Sequence, residues 1–283
     1  MKRRCKWALV GIPDQAGVAG VGGRLGAAFG PAAFRAAFAR LSGIGEIREG
    51  SLFDQDIDVE NENIQLNHDR AATTVCHAQN EAGTTIVIGG GHDHGFSQLR
   101  GVFEALKPKR LGCINLDAHL DLRPDRPVIT SGSPFYLAIE RGIVAPENLV
   151  EFGVQEQCNS PALWEYARKK KIPTYLFSEL RHLPKAKVFS KVLRALEKRC
   201  DQIVISFDLD SVSEAYAPGV SAPVPEGFSP SEIFEFLELA GHSRKVCSLG
   251  VFELNPLHDD RDKTARLAAH AVARFLGSRF LDW

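Results

Sequence analysis

Two short stretches place acidic and imidazole side chains two residues apart. In DAHLDLRP, Asp117 to Pro124, the groups Asp117, His119 and Asp121 are separated by Ala118 and Leu120. In DLDSVSEAYAPGVSAPVPEG, Asp208 to Gly227, Asp208 and Asp210 flank Leu209. Alternate side chains of an extended chain project to one face, so each array can present its groups together. One such residue alone is usually a helix cap or a solvated turn residue. Two arrays are different, because four carboxylates packed at one sheet edge without a cation would repel one another and shift toward protonation. A pair of divalent metal ions removes that conflict. GGGHDHG, Gly89 to Gly95, adds His92 to the set, and the segment FELNP adds Glu253.

Four carboxylates and two imidazoles make a hard, oxygen-rich site without thiolate. It suits Mn²⁺ better than structural zinc, with iron, cobalt and catalytic zinc left open. Two ions bridged by shared carboxylates can hold a hydroxide acidified enough to act as a nucleophile at neutral pH. This is the design of a hydrolase.

The elements that must position these groups are legible as alternation. Apolar strand candidates lie near residues 6–11, 46–51, 84–88, 110–116, 148–153, 173–177, 202–208 and 246–251. Helical patterns fill most of the gaps. Ser229-Pro230-Ser231-Glu232 reads as a capping box with proline in the first turn, ahead of Ile233, Phe236, Leu237 and Ala240 at helical spacing. Ser160-Pro161 opens a helix through Trp164 and Ala167, and Gly30-Pro31 opens one with Phe34, Phe38 and Leu41 on one side. Strands alternating with helices imply a parallel sheet covered on both faces. Ligands of such sheets gather at the carboxyl ends of the strands, where the arrays fall.

The 283 residues show no linker or internal repeat and read as one domain, 1–283. With 34 basic against 35 acidic residues there is no basic stripe for nucleic acid and no polybasic membrane patch. No apolar run approaches a membrane span. The start, MKRRCKWALVGIP, has a charged head, but its apolar part ends at Pro13 and Asp14 and reads as a first core strand rather than a signal peptide. Cys5, Cys76, Cys113, Cys158, Cys200 and Cys247 are scattered, with no CxxC pair, and read as free thiols of a reducing compartment, the cytoplasm.

GGGHD, INLDAHLDLRP, SFDLDSV with APGVSAP, and FELNP, in this order, resemble the ureohydrolase (arginase–agmatinase–formimidoylglutamase) family. The resemblance spans nearly the whole chain, from GVGGRLGAAFGPAAFR at Gly20–Arg35. It implies a three-layer α/β/α fold with a mainly parallel eight-stranded sheet and a trimer or hexamer. It also implies two manganese ions, one on His92, Asp117, Asp121 and Asp208 and the other on Asp117, His119, Asp208 and Asp210. In that family a metal-bridging hydroxide attacks an amidine-type carbon. Glu253 matches the glutamate that holds the cationic nitrogen end, and Asp121 matches the carboxylate that passes a proton to the departing amine.

Within the family the segments around the ligands are similar to the formimidoylglutamase branch. TSGSPF, Thr130 to Phe135, has Ser131 where arginases and agmatinases carry a histidine, and DLRP and GVQEQCNSPALW (Gly153–Trp164) also resemble that branch. Its substrate, N-formimidoyl-L-glutamate, is a dicarboxylate, and guanidinium groups bind carboxylates in a bidentate fork. Arg123 and Arg24 are the candidates, with Ser131, Gln155 and Asn159 as polar contacts; each also has a bland reading as a structural or loop residue. Two departures from the family pattern are Gly22, where an asparagine is expected, and the additional His94, which reads as a helix-start or surface histidine or else as support for the ligand loop. Other readings are an amidinohydrolase releasing urea from a guanidino substrate, and an inactive binding protein of the same fold. A metallophosphatase is disfavoured by the order of the ligands.

Overall fold

A computed structural model describes residues 6–60 and 63–281. Eight strands form one sheet: β1 (Trp7–Gly11), β2 (Ser51–Asp56), β3 (Thr85–Ile88), β4 (Leu111–Leu116), β5 (Leu149–Val154), β6 (Thr174–Leu176), β7 (Gln202–Asp208) and β8 (Val246–Phe252). Their order is β2-β1-β3-β8-β7-β4-β5-β6, and every neighbouring pair is parallel. The expected three-layer architecture is therefore present.

The inner strands are apolar at nearly every position because both faces are covered. Ile114 and Leu116 of β4, with Ile203, Ile205 and Phe207 of β7, belong to one core layer beneath the helices Gly30–Ala39, Lys185–Arg199, Pro230–His242 and Lys263–Phe280. Leu111 and Cys113 of β4 and Val204 of β7 belong to the other, beneath the helices Ile64–Ala82, His94–Leu106 and Pro161–Lys170. Alternation carries a consequence for the site. Asn115 and Asp117 share the parity of Cys113, and Ser206 and Asp208 share that of Val204, so Asp117 and Asp208 project on this second face, and the rest of each array follows in turns beyond the strand end.

Helix ends follow the sequence signals. Ser229 and Glu232 form the expected capping box, and proline opens both Pro161–Lys170 and Pro230–His242. One expected strand is displaced. Residues 46–51 fall mainly in a short helix, Gly45–Glu49, and the strand follows it as β2. The apolar residue that suggested a strand, Ile47, is buried from the helix. β2 is an edge strand with a largely exposed, polar run from Asp54 to Asp56, so it lacks the apolar pattern that reveals the inner strands.

Candidate metal centre

Four strands that adjoin one another in the sheet, β3, β8, β7 and β4, deliver the chemical groups from their carboxyl ends. His92 lies in the loop after β3, Asp117 directly after β4, Asp208 ends β7, and Glu253 follows β8. The glycines before His92 are required by close approach: a Cβ on Gly90 would lie 1.7 Å from the Asp14 carbonyl oxygen, and one on Gly89 2.2 Å from the Phe252 ring. Asp121 and Glu253 are non-glycine residues with φ of 49° and 65°. Such left-handed backbone costs on the order of 1 kcal/mol and persists where the surroundings impose it, often at functional sites.

The side chains converge in two adjoining clusters, His92 with Asp117, Asp121 and Asp208, and Asp117 with His119 and Asp210. Nδ1 of His92 stands 3.1 Å from Asp117 Oδ2, 2.9 Å from Asp121 Oδ2 and 3.0 Å from Asp208 Oδ2. Nδ1 of His119 stands 3.3 Å from Asp117 Oδ1 and 3.1 Å from Asp210 Oδ2. Asp117 thus turns one oxygen to each cluster. Asp208 falls in the first cluster alone; its Oδ1 accepts the Asp210 backbone N–H at 2.8 Å, so only one of the two expected shared carboxylates is shared in this arrangement. All six side chains are buried apart from His119, which is 22% exposed and marks the open side.

Charge is poorly balanced within this space. Burial raises the carboxyl of Asp208 far above the usual range, and the charges of Asp210 and Asp117 raise it further. Burial also pushes Asp210 up to about 7, against the opposing pull of His119. Burial alone would lower His92, yet the carboxylates of Asp117, Asp121 and Asp208 crowded about Nδ1 hold it well above the ordinary imidazole value. Even so, Nδ1 of His92 makes no well-directed hydrogen bond to any of the three oxygens around it. Ligands that surround a common point instead of pairing with one another fit a divalent cation, and the oxygen-rich donor set fits a hard one.

The neighbouring groups support the clusters. Nε2 of His92 meets Ser206 Oγ at 2.8 Å, which fixes Nδ1 as the ring nitrogen facing the carboxylates. Oε1 of Glu253 accepts the His92 backbone N–H at 2.8 Å, while its Oε2 is buried without a partner. Sequence reasoning missed Ser206 and Asn115, although a period-two signal was present: each stands two residues before a ligand, as a polar residue in an apolar strand.

His94 opens its helix, but it is wholly buried, not on the surface. It joins His68, Ser97, Asp93 and Asp14, none of which the sequence singled out. Nδ1 of His94 and Nδ1 of His68 both meet Ser97 Oγ, at 3.1 and 3.2 Å. Their Nε2 atoms face Asp14 Oδ2 at 3.1 Å and Asp93 Oδ2 at 2.9 Å. The two rings stack at 4.6 Å and 23°; His68, Asp93 and His94 also lie close enough together to hold an ion, but their ring nitrogens are engaged by Ser97, Asp14 and Asp93. A single proton pattern satisfies the network: a charged His94 donates from both nitrogens, Ser97 donates to His68, and His68 donates to Asp93. The network ties the His92 loop to the end of β1 and to the helix Ile64–Ala82.

The five polar candidates divide. Arg24 donates from Nε to the Ser221 carbonyl at 3.1 Å and from Nη2 to that of Val220, clasping the loop after β7. Gln155 Nε2 donates to the Glu226 carbonyl at 2.7 Å. Asn159 donates to the carbonyls of Ala118 and Gln155 and accepts the Leu120 N–H at 2.8 Å, so its amide holds the Asp117–Asp121 loop from behind. These three are committed to backbone. Arg123 is exposed, with no ion-pair partner among the described residues, and its stem packs on Gly132. Ser131 is partly exposed beside it.

Comparison with known proteins agrees with this geometry. The Arginase family model matches residues 5–277, and the chain belongs to that family. The formimidoylglutamase of Staphylococcus epidermidis (strain RP62A) is 31% identical over 271 residues, 93% of this chain and 83% of that protein. The crystal structure of Trypanosoma cruzi formiminoglutamase with Mn²⁺ superposes with a TM-score of 0.88 at 28% identity, over 98% of this chain and 95% of that one. Arginase from Bacillus subtilis follows at 0.84 and 27% identity, over 96% and 98%.

Proposed function

We propose that this protein is a binuclear manganese hydrolase that cleaves N-formimidoyl-L-glutamate with water to L-glutamate and formamide. The observation that carries the reading is the pair of buried His/Asp clusters joined through Asp117, in a chain similar along its length to proteins bearing the formimidoylglutamase name. His92, Asp117, Asp121 and Asp208 would hold one ion; Asp117, His119 and Asp210, with Asp208 alongside, would hold the other. When bound, the two ions acidify a water and polarise the amidine.

The chain's own groups do the rest. Glu253 is held by the His92 N–H through Oε1, which leaves Oε2 to accept a hydrogen bond from the substrate's cationic amidine nitrogen. Asp121, at the edge of the first cluster, carries a proton toward the departing amine. Arg123 receives a substrate carboxylate in a bidentate fork, and Ser131 offers a hydroxyl beside it. Arg24, Gln155 and Asn159 brace the loops that carry these groups. The thiols of Cys76, Cys113, Cys158, Cys200 and Cys247 are unpaired, which suits the cytoplasm, and we place the enzyme there as a homo-oligomer acting on a small dicarboxylate. No helix among the described residues is long and apolar enough to cross a membrane.

A substrate panel with manganese tests the reading. Formamide from the formimidoyl substrate is expected, with little urea from arginine, agmatine or a guanidino acid. The reverse pattern would make the protein an amidinohydrolase, and manganese binding without any turnover would make it a binding protein. Arg123→Leu should raise KM with kcat retained, whereas Asp121→Asn should lower both manganese occupancy and kcat.

A further inference from the structure

One residue layer below the ligands the sheet carries polar side chains that the reaction does not use. Parallel register sets Glu151 of β5 beside Asn115 of β4, and Asn115 beside Ser206 of β7. All three are wholly buried, on the face that carries Asp117 and Asp208. Nδ2 of Asn115 donates to two carboxyl groups, Asp117 Oδ2 at 3.1 Å and Glu151 Oε2 at 2.9 Å. The other oxygens of the amide and the acid, Asn115 Oδ1 and Glu151 Oε1, are both buried without a partner.

An ionised Glu151 would fit this place badly. It makes no ion pair among the described residues, has one amide donor, and would share that donor with a second anion. Two orphaned acceptors would also remain, each carrying a desolvation cost. One proton resolves both. A neutral acid that accepts the Asn115 N–H through Oε2 and donates from Oε1 to Asn115 Oδ1 closes an acid–amide ring.

We propose that Glu151 is a positioning residue, held as a neutral carboxylic acid, that locks the Asn115 carboxamide so that Asp117 keeps one oxygen toward each ligand cluster. The ring fixes the plane of the amide, and of its two orientations only the one that turns Nδ2 to Asp117 Oδ2 avoids setting oxygen against oxygen. Burial pushes the Glu151 carboxyl well above its ordinary range; the charges of Asp117 and Asp121 add to this, and the hydrogen bond from Asn115 opposes it. The inference rests on the two-metal reading.

Two measurements test it. Manganese titration by calorimetry should give Glu151→Gln the wild-type Kd within about twofold, since its amide can still accept from and donate to Asn115. Glu151→Leu should weaken binding about 10-fold, the low end for lost partners behind a ligand, with an unchanged circular dichroism spectrum. Glu151→Met serves as a second apolar variant if the leucine protein does not fold. Separately, the infrared difference between wild type and Glu151→Gln should contain the C=O band of a protonated carboxylic acid. Equal Kd for wild type and the apolar variants, a Glu151→Gln protein as weak as Glu151→Leu, or absence of that band overturns the proposal. Wild-type protein that takes up no manganese would instead sink the two-metal reading, and the infrared band would still decide the state of Glu151.

Discussion

Replacing Ser206 with alanine isolates the group behind His92. The imidazole is enclosed by the Phe252 ring stacked at 4.9 Å and the Phe135 ring edge-on at 5.6 Å, and its Nε2 has Ser206 Oγ at 2.8 Å. A methyl offers no acceptor. The variant therefore leaves one buried N–H unpaired, which costs about 1–3 kcal/mol in the metal-free protein. The same hydroxyl selects the tautomer whose Nδ1 lone pair faces Asp117, Asp121 and Asp208. Loss of such a partner lowers metal affinity on the order of 10–100-fold. Thermal unfolding of the metal-free variant reads the first effect, and manganese titration of the folded variant reads the second. A variant with wild-type Tm and wild-type manganese Kd would refute the assignment of Nδ1 as the ligating atom.

Glu253→Gln keeps an oxygen for the His92 N–H but places an amide N–H where Oε2 stands; kcat/KM should fall at least about 100-fold with manganese stoichiometry unchanged, and a fully active variant would remove Glu253 from the reaction. Manganese held at about 1,000 times its Kd should add about 4 kcal/mol to folding stability, lost on chelation; a Tm indifferent to chelator would contradict a metal bound only by the folded state. Asp14 links pH to stability. Burial would raise its carboxyl, but His94, the Ala16 amide and Asn67 together lower it from 3.8 to about 2. A folded value below the unfolded one gives stabilisation that is complete above about pH 4 and lost as pH falls through about 2, worth about 2 kcal/mol. Asp14→Asn should flatten acid unfolding over that window, and superimposable wild-type and variant curves would show that the carboxylate is not paired as described.

The inner strands were readable because a fully covered parallel sheet writes its apolar character into every position, and the ligand arrays because their residue types recur two apart, although the chain is not extended throughout: Asp210 lies in a 3-10 turn and Asp121 has a φ of 49°. β2 was not readable, since an edge strand buries too little to leave a pattern. Which of the polar candidates brace backbone was not legible for another reason. Nothing in a sequence distinguishes an arginine that clasps carbonyls, as Arg24 does with Val220 and Ser221, from one that faces solvent, as Arg123 does. Asn159 is similar: its amide serves the backbone of Ala118 and Leu120, forty residues away in sequence and adjacent only once β4 and β5 pair.

The support of the site is continuous with the core and does not form a separate shell on top of it. Gln98 donates to Ser248 Oγ at 2.8 Å from the helix that follows the His92 loop, and Ser248 in turn donates to the Thr85 carbonyl of β3. The loop's first anchor is Glu253 just after β8, its second is Ser206 on β7, and its third is the His68–Asp93 pair reaching to the helix Ile64–Ala82. Each anchor comes from a different element, so no single element can shift without straining the others. Rigid placement of this kind lets ligands stay close together before a cation arrives, at the cost of carboxyl groups that must hold protons meanwhile. The polar residues inside the second core layer are thus the condition for crowding four aspartates at one sheet edge, and their positions two residues below the ligands follow from the same alternation that places the ligands themselves.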